Sequence, residues 1–195
     1  FDLKKTIPLY PSRIAMITAP QSAAEADFLK VVQSKLPHLE VVRMPATMQG
    51  EMCPASICDA LESCLQQHQQ SNLDLIVIIR GGGSAEDLSA FNNEMLIRKV
   101  ATFPLPICTG IGHEIDTSLT DLAADSYEST PTAVAKRLVV PFEKARWQIQ
   151  QIVSKLSDAM QARLIEQKQQ LYDMILQCSE AYQLKAQEVN ERFET

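Results

Sequence analysis

Seven almost unbroken apolar residues, LDLIVII at 73–79, run straight into Arg80-Gly81-Gly82-Gly83-Ser84. A strand that is apolar on both faces must be covered on both faces, which is the position of a central strand in a parallel sheet flanked by helices. Three shorter β-prone runs surround it in sequence: RIAMIT at 13–18, LEVVRM at 39–44 and, led in by prolines, FPLPICT at 103–109. Between them, Ala24, Phe28, Val31, Val32 and Leu36 share one helical face. So do Ile57, Ala60, Leu61, Cys64 and Leu65 within a helix expected over 55–68. Strand and helix alternating four times predict an α/β domain with a doubly wound, mostly parallel sheet.

The second constraint lies at the other end of the chain. Thr130-Pro131 reads as a cap and first helical residue, and Pro141 is expected to interrupt or kink the helix that follows. From Phe142 to Phe193 there is neither glycine nor proline. Ile149, Val153, Leu156, Met160, Leu164, Leu171, Ile175, Cys178, Tyr182, Val189 and Phe193 recur in steps of three and four, with Gln167 and Lys185 interrupting the stripe. The mean step is near that of an eleven-residue repeat. A helix of about 75 Å, at 1.5 Å per residue, cannot fold back fully onto a domain of this size and is expected to pair with another helix. The expected division is therefore 1–140 for the α/β domain and 141–195 for a coiled-coil helix.

In open parallel sheets ligands sit beyond the carboxyl ends of the strands, so the residues that follow the strands carry the functional reading. A strand, three glycines and a helix opening at Ser84-Ala85-Glu86-Asp87 would aim backbone N–H groups and a helix N-terminus at an anion. That makes Gly81, Gly82, Gly83 and Ser84 the phosphate-binding candidates. The fourth strand delivers Gly110-Ile111-Gly112-His113-Glu114-Ile115-Asp116, where an imidazole is followed by two carboxylates. Glycines there permit positive φ and close backbone approach. A histidine and an aspartate three apart at a helix start can reach one small substrate. His38 and His68 read as loop and surface residues.

Composition narrows the class. Hydrophobic content of 46% and charged content of 22% are those of a globular protein. With no run of 18 apolar residues and no signal peptide, a soluble cytoplasmic chain is expected. Its first residue is Phe1, as in a piece of a longer chain. The five cysteines form no C-x-x-C pair and are expected as free thiols. A net charge of −6 argues against a broad non-specific nucleic-acid footprint on this piece.

Arg80-Gly81-Gly82-Gly83-Ser84-x-Glu86-Asp87-Leu88, Phe91-Asn92-x-Glu94, Gly110-x-Gly112-His113-Glu114-x-Asp116, Asp121 and Thr130-Pro131-Thr132-Ala133 together resemble the large subunit of exodeoxyribonuclease VII, in order and spacing. The resemblance runs from about Pro8 into the long helix. It implies a nuclease that degrades single-stranded DNA from either end to oligonucleotides and nucleotides. It also implies an OB-fold before this piece and a coiled coil that recruits small subunits; the unpaired apolar seam of the long helix also offers a surface for self-association. The implied catalytic positions are Arg80, His113, Asp116 and Asp27, with Glu114 and Asp121 in support. One departure is Ser22-Ala23-Ala24, where many members have Gly-Ala-Ala, and it leaves Asp27 the weakest of the four.

On this reading Arg80 and the glycine amides hold the scissile phosphate, and His113 is general base or general acid. Asp116 or Glu114 orients it, and Asp27 completes the cluster from a neighbouring loop. Asp27, Glu114 and Asp116 would be the oxygen ligands if Mg²⁺ takes part, but a histidine and an arginine can also act without a metal. Two rival classes remain. One is a nucleotide- or phosphate-binding module, which lacks the Gly-Lys-Ser/Thr ending of a P-loop. The other is an inactive scaffold assembled through the long helix.

Overall fold

A computed structural model describes residues 4–82, 88–112 and 117–193, with side chains as far as 187. Five strands form one sheet in the order β2-β1-β3-β4-β5, and every pairing is parallel. They are β1 (Arg13–Thr18), β2 (Glu40–Pro45), β3 (Leu75–Ile79), β4 (Ile107–Gly110) and β5 (Ser126–Tyr127). The helices are α1 (Ala23–Lys35), α2 (Cys53–Ser71), α3 (Glu94–Ala101), α4 (Leu119–Ala123) and α5 (Pro131–Phe193), with a 3-10 turn at Ser89–Asn92. All five side chains of β3 are buried, as its continuous apolar run requires.

Two apolar layers cover the sheet. On one face Ile14, Met16, Val77 and Ile79 meet Phe28 and Val32 of α1 and Val134, Ala135, Leu138 and Val139 of α5. On the other, Ala15, Ile17, Ile76 and Ile78 meet Ile57 and Leu61 of α2, Leu96 and Val100 of α3, and Phe91. The sheet is therefore doubly wound. Its strand order reverses direction between β1 and β3, and the ends of these two strands form the crevice where ligands bind in such folds.

The caps follow the sequence. Ser22 accepts from Glu25 N at 3.2 Å, Asn93 accepts from Met95 N at 2.9 Å, and Thr130 Oγ1 accepts from Ala133 N at 3.1 Å. Ser22 has φ −78° and ψ 157°, ordinary extended backbone, so a serine sits there without strain and supplies the cap. The positive φ falls one residue earlier, on Gln21 at 57°.

Two expectations are corrected and one strand is added. Pro141 lies inside α5, which runs from Pro131 to Phe193, so the interruption expected there is absent. The lost N–H costs a hydrogen bond, but Val134, Leu138 and Val139 before it and Phe142 after it all pack on the same apolar layer. β5 was not foreseen, because its two residues, half-buried Ser126 and exposed Tyr127, make no apolar run. His68 is half-buried rather than a surface residue. Its Nδ1 accepts from Leu73 N at 3.0 Å and closes the end of α2. The helix expected to open at 84–87 falls outside the described residues.

The chain divides into two compact units, Phe1–Lys144 and Ala145–Thr195. In the second, the apolar stripe is uncovered: Ile149, Val153, Leu156, Met160, Leu164, Leu171 and Ile175 are each more than half exposed. Among the described residues no helix is long and apolar enough to cross a membrane.

Gly110 ends β4 at the point where α5 begins. A Cβ on it would stand 2.6 Å from Val134 Cγ2 and 3.1 Å from the Thr130 carbonyl oxygen. Gly110→Ala is therefore expected to destabilise the domain by about 1–3 kcal/mol through overpacking, read as a lowered urea midpoint. Adding Val134→Ala should recover part of the loss. An unchanged midpoint in the single variant would mean that the helix start can yield.

Candidate active site

The site is assembled from the loops that leave β1, β2, β3 and β4 at one edge. β3 and β4 are joined at this edge by Arg80 N donating to the Gly110 carbonyl at 3.1 Å. That bond sets the two sequence motifs side by side, because Arg80-Gly81-Gly82 continues from one strand and Ile111-Gly112 from the other. Arg80 is 3% exposed. Its guanidinium lies near enough to Cys53, at the start of α2, to oppose the rise that burial gives that thiol, which still ends at about 11. Gly81 rests on α1, with its ideal Cβ position 3.8 Å from Ala24 N and Ala24 Cβ.

On the β1 and β2 side of Arg80 lies an open cleft of about 650 Å³. Ala19, Pro20, Ser22 and Ala23 form one wall, Pro45 to Gln49 the other, and Arg80, Gly81 and Gly82 its end, with Ser56 also lining it. This is the crevice at the reversal of strand order, and its volume lies within the roughly 300–1,000 Å³ of small-ligand sites. The N-terminus of α1 opens beside it, which favours negative charge.

On the other side, β4 leads to Gly112, and the chain returns at Thr117 and Ser118. Two described contacts fix both ends of this connection. Asp121 is 1% exposed and accepts from Thr109 Oγ1 at 2.6 Å, before the connection, and from Ser118 Oγ at 2.7 Å and Ser118 N at 3.1 Å, after it. Ser118 accepts from Asp121 N in return at 3.1 Å, a complete capping box for α4. The turn preceding α3 supplies the second tie: Asn92 Oδ1 accepts from Leu119 N at 2.7 Å, and the Phe91 carbonyl accepts from Thr120 Oγ1 at 2.5 Å. The Phe-Asn pair of the sequence motif is thus a brace for the second motif.

The anticipated residues are distributed as follows. Arg80, Gly81 and Gly82 lie together at the cleft. Gly83 and Ser84, and His113, Glu114 and Asp116, lie outside the described residues. Asp121 is a buried brace between β4 and α4. Asp27 was expected in a loop and is instead an exposed residue of α1. It stands one turn beyond Ala23 and Ala24, the residues that meet the cleft and Gly81, and it is not among the residues lining the cleft. The close approach foreseen at Gly110 is made by α5, not by a ligand. Ser118 and Thr109 were not singled out, although Ser118-x-x-Asp121 carries the capping-box spacing.

Among the described residues no three His, Cys, Asp or Glu side chains are grouped to hold a metal ion. The five cysteines are free. Burial pushes the Cys64 and Cys108 thiols up to about 12, so neither is an activated nucleophile.

The family described as exonuclease VII, large subunit, matches residues 2–195. The chain belongs to the exonuclease VII large-subunit family. It is 43% identical over 169 residues to the exodeoxyribonuclease 7 large subunit of Synechococcus sp. (strain CC9311), covering 87% of this chain and 43% of the relative. Against the Alcanivorax borkumensis large subunit it is 45% identical over 138 residues, 71% of this chain and 30% of that one. Against that of Nitrosomonas eutropha it is 38% identical over 174 residues, 89% and 38%. The chain thus spans about two fifths or less of the length of these exonuclease VII relatives.

Replacing Asp121 by alanine would leave two hydroxyls and an N–H without their acceptor in the interior. The expected cost is roughly 2–4 kcal/mol, seen as a lowered Tm. A Tm equal to that of the parent would show that Asp121 is not the brace.

Proposed function

We propose that this chain is the catalytic part of a large subunit that hydrolyses phosphodiester bonds of single-stranded DNA from either end. The products are oligonucleotides and nucleoside 5′-phosphates. The observation that carries the reading is the Arg80 N to Gly110 O bond, which brings a buried arginine and a glycine-rich turn beside the segment that holds the histidine. An anionic phosphodiester needs both charge neutralisation and proton transfer, and these two loops supply one each.

Arg80 and the amides of Gly81, Gly82 and Gly83 hold the non-bridging oxygens of the scissile phosphate. A guanidinium held in a nearly solvent-free position is already in place when charge builds up in the transition state, so little reorganisation is needed. His113 moves the proton, taking it from the attacking water or giving it to the leaving oxygen. Asp116 and Glu114 orient the imidazole, and Asp27 borders the site from α1. Should Mg²⁺ take part, Asp27, Glu114 and Asp116 are its oxygen ligands; no step here depends on it.

The α5 stripe, uncovered at seven apolar residues from Ile149 to Ile175 and interrupted at Gln167, is the surface on which we place the exodeoxyribonuclease VII small subunits. The same stripe can pair with a second copy in their absence. The strand-tracking surface we assign largely to the remainder of the large subunit, in keeping with the acidic balance of this piece. The enzyme would act in the cytoplasm.

Release of nucleotides from an end-labelled single strand, by the full-length chain assembled with its small subunit, tests this reading. His113→Ala is expected to lower the rate by about 100-fold or more, as loss of a general acid or base does. A fall of less than tenfold would remove His113 from the mechanism. Running the same assay with excess chelator separates the metal-dependent from the metal-free alternative.

A further inference from the structure

The 650 Å³ cleft extends past the phosphate-holding residues, and its walls are of another chemistry. Arg80 to Gly82 supply the cationic end of it. Pro20 and Ala23 on one side and Pro45 on the other present apolar surface, which an inorganic phosphate has no use for. Ser22 Oγ accepts from Glu25 N, and Ser56 Oγ accepts from Thr47 N at 2.9 Å. A cleft with a cationic end and apolar side chains in both walls fits a phosphate that carries a flat, largely apolar group.

The order of the strands sets the direction. β3 lies between β1 and β4, so the Arg80 turn has this cleft on one side and the connection containing His113 on the other. We propose that the cleft is the subsite for the nucleoside attached to the scissile phosphate, gripping sugar and base between the β1–α1 turn and the β2–α2 loop. This rests on the phosphodiesterase reading of the Arg80 turn and adds the place of the nucleotide beside the cut.

The test is direct binding of thymidine 5′-monophosphate and of inorganic phosphate, by calorimetry, to the full-length assembled protein and to two variants. Ala23→Phe fills the cleft from an exposed position on the first turn of α1. Thr47→Phe fills it from the opposite, exposed wall and leaves the backbone N–H of residue 47 on Ser56. Each is expected to weaken the nucleotide by tenfold or more while phosphate binding changes less than twofold. The proposal is overturned if the nucleotide does not bind the parent protein. It is equally overturned if both folded variants bind the nucleotide as the parent does, or if phosphate weakens in step with the nucleotide. Because binding is measured without turnover, a protein that binds the nucleotide in the cleft yet cuts no DNA would refute the nuclease reading alone.

Discussion

The site depends on one close approach. Gly110 ends β4, gives its carbonyl to Arg80 N and, having no Cβ, lets the first turn of α5 press against it at Val134 and Thr130. Three elements that share no local sequence are registered there: the glycine-rich turn after β3, the histidine-bearing connection after β4 and the start of the long helix. A larger residue would push α5 off the sheet and withdraw its first turns from the apolar layer that Phe28 and Val32 complete.

Around that point the functional side chains sit on loops, and the loops are held by rigid elements. Arg80 follows a strand that is wholly buried, so its position is set by the sheet. The connection after β4 is fixed by Asp121 through Thr109 on one side and Ser118 on the other, and by Asn92 and Phe91 from the turn before α3. Much of the polarity near the site is therefore spent on geometry. Asp121, whose motif membership suggested a supporting role in chemistry, acts through hydrogen bonds to backbone and hydroxyls.

The parts legible in the sequence were those with a local physical signal. The apolar run of β3, the helical period of α1 and α2, the cap at Thr130, and the two motifs at the strand ends could all be read directly. What escaped needed tertiary context. The two-residue β5 has no apolar period, and its place is fixed by pairing with Cys108 and Thr109. Pro141 carries a local penalty that burial on both sides of it outweighs. Asp27 was assigned to a neighbouring loop by its supposed role, although it lies between Ala24 and Phe28 of the α1 apolar face and is helical in the structure. The uncovered stripe from Ile149 to Ile175 was legible because nothing in a single helix can bury it.

Arginine and lysine differ at this site in shape and not in charge, which makes the exchange the sharpest probe of the account. Single-turnover cleavage of a single strand by the assembled full-length protein, parent against Arg80→Lys, should slow by on the order of 100-fold. Strand affinity should change by less than about threefold, because it is spread over many phosphate contacts. Cleavage at the parental rate would contradict the claim that the buried guanidinium after β3 holds the scissile phosphate.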